Sequence, residues 1–404
     1  ERQSQVADAE GRGSRDRSRV AVVRLTLSAF RCYDYRRLDL SPASVVLTGP
    51  NGSGKTTMLE ALSLLAPGRG LRRARLEEMK RLSGLSDRAP GPWAVAARVR
   101  TPSGEIDVGT GLSADPASLA RERRQVRIDA QPARAHAALA SIIAVSWLTP
   151  EMDRLFAEGA AARRRFLDRL VSTLDPDHVR RVNAYDAAMQ ERARLLRRGN
   201  ADLGWLAALE ETMAARAVAV AAARLDHAER LNLEARAHCA FPGATLAVDG
   251  TVEGWLADGQ TALAAECRLR EALAEARSAD AEAGGAGVGP HRSDLLVHHL
   301  GSGRPARICS TGEQKALLIA IVLAGARLQK AERGTAPLLL LDEVAAHLDA
   351  RHRTALFAEI ASLDAQAWFT GTDTSVFAPL GDSVQFVLLG QEPSGGGHSA
   401  AQTR

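Results

Sequence analysis

Ser44-Val45-Val46-Leu47-Thr48-Gly49-Pro50-Asn51-Gly52-Ser53-Gly54-Lys55-Thr56-Thr57 decides the fold. A short apolar strand runs directly into a glycine-rich turn, and a helical pattern starts at Lys55. Such a turn aims backbone N–H groups and a helix N-terminus at one point, where they cradle phosphates. The Lys reaches the β- and γ-phosphates, and the Thr hydroxyl coordinates Mg2+. Gly49, Pro50, Asn51, Gly52, Ser53, Gly54, Lys55, Thr56 and Thr57 are therefore read as nucleotide-binding residues. Near the other end of the chain, the apolar run Leu338-Leu339-Leu340-Leu341 ends in Asp342-Glu343. The first carboxylate suits a second Mg2+ contact and the next can orient an attacking water. Lys55, Asp342 and Glu343 are thus the expected catalytic residues, with Thr56 and Asp342 on the metal.

A third motif, Ser310-Thr311-Gly312-Glu313-Gln314-Lys315, opens an apolar helical run ahead of the carboxylates. A Ser/Gly turn at a helix N-terminus is an anion site, because unpaired N–H groups and the positive end of the helix dipole face outward. In ATPases of the ABC type this turn faces a nucleotide held by another subunit, so hydrolysis requires a dimer. Ser310 and Gly312 are the residues expected at that second face. A small-molecule P-loop kinase would have no use for the turn. A transporter ATPase subunit would place it much closer to the phosphate loop than the interval Thr57 to Cys309 allows.

The chain has 404 residues, 46% hydrophobic and 25% charged, which is ordinary for a globular protein of two or three domains. Cys32, Cys239, Cys267 and Cys309 show no C-x-x-C spacing, which argues against a disulfide framework or a zinc site and favours a reducing cytosol. No stretch reaches the roughly 18–20 apolar residues that span a bilayer, so no membrane partner is expected. A net charge of +4 says little about nucleic acid. Arginine clusters say more: Arg69, Arg72, Arg73 and Arg75; Arg121, Arg123, Arg124 and Arg127; and Arg163-Arg164-Arg165. Each cluster is read either as a phosphate contact or as a solvated face.

Residues 1–18 and 391–404 read as disordered tails. Strand patterns at Val20–Leu27, Ser44–Thr48, Trp93–Arg100, Ile106–Gly111 and Gln125–Ile128 assign residues 19–157 to the first part of an ATPase head. Residues 158–285 read as an almost wholly helical arm, with one helix starting at Asp175-Pro176 and another over Trp205–Cys239. Gly284–Gly289 is the expected hinge. Strands at Asp294–His298, Pro337–Leu341, Ala367–Thr370 and Val384–Leu389 return the chain to the head over 286–390. The fold class is α/β, an ABC-type P-loop head with a helical arm. Arg216, Arg224 and Arg230 break any heptad stripe, so no long coiled coil is expected.

Several further blocks make the chain resemble the RecF family from about Val22 to Leu389. They are Phe30-Arg31-Cys32-Tyr33, Leu59-Glu60-Ala61-Leu62, Gly68-Arg69-Gly70, Pro150-Glu151-Met152-Asp153 and Arg163-Arg164-Arg165-Phe166-Leu167-Asp168. Gly289-Pro290-His291-Arg292-Ser293-Asp294, Glu343-Val344-Ala345-Ala346-His347-Leu348-Asp349 and Thr370-Gly371-Thr372-Asp373 complete the set. Departures are Thr57 and Cys32, each where the family usually has Asn, and Ser293, where a second Asp is common. None removes a phosphate or metal group.

The resemblance implies an ATP-driven homodimer that binds DNA at single-strand/duplex gaps, cooperates with RecO and RecR, and helps to load RecA. It implies ATP and Mg2+ as cofactors and a weak, DNA-stimulated ATPase. It also implies a cytoplasmic role in DNA damage, the SOS response and replication restart. Asp349 would cross the dimer interface. Arg31 would contact phosphates or stack on adenine, or is an ordinary surface-strand arginine. His291 is read as a nucleotide sensor or as a structural histidine. Thr370-Gly371-Thr372-Asp373 takes the place of the switch histidine of the wider ABC class. The alternative reading is a short chromosome-structural (SMC-like) head, with a transporter ATPase subunit the more distant one.

Overall fold

The computed structural model describes residues 19–81, 92–112, 124–133, 136–199, 202–236 and 241–390. The tails, Arg121, Arg123 and the end of the Trp205–Cys239 helix lie outside the described residues. In chain order the elements are β1 (Ala21–Phe30), β2 (Tyr33–Asp39), β3 (Ser44–Thr48), α1 (Lys55–Ser63), β4 (Ala94–Thr101), β5 (Gly104–Leu112), β6 (Arg124–Ile128), β7 (Gln131–Pro132) and β8 (Val145–Leu148). Then come α2 (Ala160–Leu174), α3 (His178–Arg197), α4 (Leu203–Arg236), β9 (Ala244–Asp249), α5 (Thr251–Ala257), α6 (Ala262–Glu275), α7 (Arg277–Ala283) and β10 (Asp294–His299). The chain closes with α8 (Thr311–Arg333), β11 (Leu338–Leu341), α9 (Ala350–Leu363), β12 (Ala367–Gly371) and β13 (Val384–Leu388).

Two compact units result: Glu1–Met152 with Gln329–Arg404, and Asp153–Leu328. The first holds a six-stranded antiparallel sheet, β2-β1-β4-β5-β6-β7, and a five-stranded parallel sheet, β13-β3-β12-β11-β8. Every residue of β3, β8, β11 and β12 is buried, the pattern of strands covered on both faces. By contrast β4 alternates, with Val95, Ala97 and Val99 inward. Both sheets contribute to one apolar core that includes Leu25, Leu27, Leu47, Met58, Trp93 and Trp368.

The second unit differs from the sequence expectation in three ways. The stretch read as wholly helical contains β9, which pairs antiparallel with β10, so the strand expected to return to the head belongs to a sheet of this unit. Gly284–Gly289 accordingly lies inside the unit rather than between units. Ala286 and Val288 pack on its helical core with Tyr185, Met213 and Leu269. The helix expected at Asp175-Pro176 starts at His178, because the Asp175 carboxylate accepts the Asp177 N–H in a local turn before the helix begins.

Candidate functional site

The phosphate loop stands at the C-terminal end of β3, and its glycines are structural requirements. Gly49 has φ +149°, and a Cβ there would run into the Leu389 carbonyl; Gly54 has φ +91°, and a Cβ would meet the Tyr33 hydroxyl. Tyr33 donates from that hydroxyl to the Ser53 carbonyl at 3.3 Å. Pro50, Asn51 and Gly52 are exposed, while Thr57 is buried on α1 behind them. Lys55 lies back across the loop, donating to the carbonyls of Gly49 at 2.7 Å and Pro50 at 2.9 Å. The buried Ser53 Oγ has no hydrogen-bond partner. An unpartnered hydroxyl, a lysine resting on carbonyls and a loop that excludes side chains together fit a phosphate ligand.

Asp342 and Glu343 follow β11, two strands away. The Thr56 hydroxyl is 3.1 Å from both carboxylate oxygens of Asp342, and Thr370 at the end of β12 donates to Asp342 Oδ1 at 2.8 Å. Burial lifts the Asp342 carboxyl above its ordinary pKa, and the Glu343 charge adds to the rise. The Thr370 and Thr56 hydrogen bonds and the charge of Arg72 oppose it. A buried carboxylate with a hydroxyl beside it matches the sparse protein ligation that suits Mg2+, which keeps waters and phosphate oxygens as its other ligands. Glu343 has φ +55°, left-handed and uncommon for a Glu, and its N–H donates to Thr370 Oγ1 at 2.8 Å.

The remaining expected residues sit elsewhere or are otherwise engaged. Arg31 lies not on a strand but in the turn between β1 and β2, and its guanidinium straddles Glu60 at 2.6 and 3.0 Å and donates to the Glu78 carbonyl at 2.7 Å. Glu60 is itself buried on α1. Asp349 caps α9, accepting the His352 N–H at 2.8 Å and pairing with His352 Nδ1 at 2.7 Å; these bonds hold its carboxyl below the usual range.

Ser310 and Gly312 belong to the other unit. There Glu313 closes a capping box, its Oε2 accepting the Ser310 N–H at 2.7 Å and hydroxyl at 2.9 Å, while Arg304 holds Oε1 at 2.7 Å.

The arginine clusters divide. Arg163 forks onto Asp294 at 2.7 Å through two nitrogens, and Arg164 donates to the Ser293 carbonyl at 2.5 Å. Two of the distinctive blocks are thus stapled to each other, and only Arg165 of the run is exposed. Arg124 turns inward from β6 to the Leu64, Ala66 and Gly68 carbonyls beyond the end of α1, where burial pushes its pKa down to about 10. Arg69, Arg72, Arg73, Arg75 and Arg127 are exposed. Arg72 lies 3.4 Å from Glu60 and within the field of Asp342, so it belongs to the edge of the site and not only to a distant surface. His291 bridges the Tyr185 hydroxyl at 2.7 Å and the Ala286 carbonyl at 2.8 Å, a satisfied structural histidine whose pKa burial lowers. Sequence reasoning did not assign Tyr33, Glu60 or Arg124 to this region. Tyr33 and Glu60 lay within quoted blocks and Arg124 within a quoted arginine cluster, but nothing in their spacing pointed to these contacts.

A glycine-rich phosphate loop on a buried parallel sheet, facing an Asp-Glu pair two strands away, defines an ABC-type ATPase head. The family model described as the RecF/RecN/SMC N-terminal domain matches residues 21–379. The DNA replication and repair protein RecF of Mesorhizobium japonicum is 45% identical over 374 residues, 91% of this chain and 96% of that protein. RecF of Rhizobium etli is 44% identical over 374 residues, 92% and 97% of the two chains. The chain belongs to the RecF family. A solved structure of the recombination mediator protein RecF-ATP in the RecFOR pathway superposes with a TM-score of 0.77 over 96% of this chain and 99% of that one; at 18% identity it speaks for the fold. The corresponding RecF-ATPrS structure gives the same score over 92% of this chain. Among the described residues no helix is long and apolar enough to cross a membrane.

Proposed function

We propose that this protein is an ATP-switched DNA-binding protein of replication and recombinational repair, a slow ATPase whose dimer closes on nucleotide. The observation that carries this reading is the meeting of Lys55, Thr56, Asp342, Glu343 and Thr370 at the ends of β3, β11 and β12, while Ser310 belongs to the other unit. The relatives are named for DNA replication and repair, and two fold neighbours are RecF with ATP or ATPrS.

In this mechanism Lys55 moves from the loop carbonyls to the β- and γ-phosphates, and Thr56 and Asp342 would hold the cation. ATP supplies the anhydride to be cleaved, and Mg2+, when bound, would supply the positive charge that offsets Asp342. Glu343 orients water, and Ser310 with Gly312 of a second protomer presents N–H groups to the γ-phosphate. No imidazole stands at the switch position, consistent with slow turnover. The first unit with its two sheets is the nucleotide-binding lobe, and the helical unit carries the signature turn. DNA is held through phosphates on basic surface joined by dimerisation, at single-strand/duplex junctions, with RecO, RecR and RecA as partners in a cytoplasmic repair and SOS pathway.

Sedimentation with saturating ATP tests the switch. Lys55→Ala should lose nucleotide and dimer together, whereas Glu343→Gln should retain ATP and accumulate dimer. A Glu343→Gln protein that stays monomeric sinks the sandwich mechanism. With that trapped form, log affinity for duplex of unrelated sequences should fall with log salt at roughly −0.9 per neutralised phosphate. No ATP-dependent DNA binding by any form would overturn the assignment.

A further inference from the structure

Thr370 occupies the position where an ATP-facing sensor would stand, but its surroundings point it elsewhere. The side chain is fully buried. Its hydroxyl proton goes to Asp342 Oδ1 at 2.8 Å, and its oxygen accepts the Glu343 N–H at 2.8 Å. A hydroxyl has one proton to give, so Thr370 cannot also donate to a phosphate while this arrangement holds. Register explains the contact. Strand β12 lies between β3 and β11, with Thr370 paired to Leu47, and Phe369 to Leu341, so Thr370 stands beside Asp342 one step past the last paired residue. The strand end is fixed from behind, where Phe369, Phe357 and Phe377 pack ring against ring and a Cβ on Gly371 would strike Phe377. The residue whose amide it accepts, Glu343, is in the left-handed region, which costs energy and persists only where neighbours hold it.

We infer that Thr370 is a positioning residue for the two carboxylates: it fixes the Asp342 rotamer by donation and the Glu343 backbone by acceptance, taking over by support from below what a switch histidine does by contact. This rests on the proposed ATPase reading. The general rule for such supporting partners is a loss of about 10–100-fold in activity or metal affinity when they are removed.

The test uses the full chain and three substitutions: Thr370→Val, which keeps shape and removes both hydrogen bonds; Thr370→Ser, which keeps both; and Thr370→Cys, which keeps a weak donor of similar size. Nucleotide affinity by fluorescent-ATP titration, dimer by sedimentation, turnover and melting temperature are read for each. The valine form should bind ATP within about threefold of the parent and still accumulate ATP-bound dimer, while turnover falls at least about tenfold. The serine form should match the parent within about threefold on every readout, and the cysteine form should fall between, carrying the test should the valine form not fold.

Valine turnover near that of the parent overturns the inference. So does loss of nucleotide affinity in step with turnover at an unchanged melting temperature, which would make Thr370 a ligand contact. Serine failing alongside valine would assign the residue to packing by its methyl group. A parent protein that binds no ATP sinks the ATPase reading itself, which the parent measurements reveal before any variant is compared.

Discussion

Buried charge in the core of the helical unit is handled differently from buried charge at the phosphate loop. In the helical unit the buried arginines Arg192 and Arg224 meet counter-charges. Arg192, almost fully enclosed, contacts Glu210 at 2.9 Å, Asp280 at 2.7 Å and the Leu273 carbonyl at 2.6 Å. Arg224 forks onto Asp168 at 2.8 and 3.0 Å and reaches the Pro290 carbonyl at 2.6 Å. In the nucleotide lobe, Lys55 rests on two carbonyls and Asp342 on two hydroxyls. The closed networks specify a fold. The open pair has charge left over for something that arrives from solution, and desolvation shows this in the raised pKa of Asp342.

Breaking a closed network should have the largest effect. Arg192→Met leaves Asp280 and part of Glu210 buried without their cation and should cost about 3–5 kcal/mol of stability, read by urea denaturation with helical circular dichroism. A cost below about 1 kcal/mol would mean that the network is not closed in solution.

A pH experiment probes the same unit with a slightly smaller effect. His227 is buried on α4, and burial pushes its pKa down to about 3, with the charges of Arg230 and His178 adding to the fall. The unfolded chain therefore takes up a proton near pH 6.5 that the folded chain refuses until about pH 3. Stability from this group is complete above pH 6.5 and is lost as pH falls through that window. His227→Leu should flatten the loss, by about 3 kcal/mol at pH 4 relative to the parent. An unchanged acid limb in denaturation curves would place the titration elsewhere.

The open pair should respond in the opposite sense. Asp342→Asn removes an uncompensated buried charge, so the nucleotide-free protein should gain about 0.5–2 kcal/mol while turnover is abolished. A loss of stability would show Asp342 to be compensated already. The smallest effect concerns DNA. Arg69→Ala with Arg75→Ala should flatten the salt slope by up to roughly 2 units without altering ATP affinity. Arg72 is unsuited to that experiment, because its charge reaches Asp342.

What the sequence revealed follows the same division. A phosphate loop, an apolar strand ending in two acids and a Ser/Gly turn are local patterns, because backbone geometry demands glycine and the chemistry demands those side chains within a few residues. Strand β3 and the start of α1 fall where the pattern puts them. The closed networks join residues far apart in the chain, such as Arg163 with Asp294 or Arg192 with Asp280, and no periodicity announces such pairs. Arg163 and Arg164 therefore read as candidates for DNA when they are structural. The same holds for Arg31 and Glu60, and for β9, whose partner strand lies beyond three helices.

The capping box at Ser310 has a consequence for how the signature turn would be used. Its N-terminal amide is already occupied by a carboxylate tethered three residues away and steadied by Arg304. An arriving phosphate thus trades places with a resident competitor whose local concentration is on the order of millimolar or higher. Free phosphate, untethered and dilute, loses that exchange. In the proposed dimer, a γ-phosphate delivered on the surface of a second protomer would be tethered too, and would compete on equal terms.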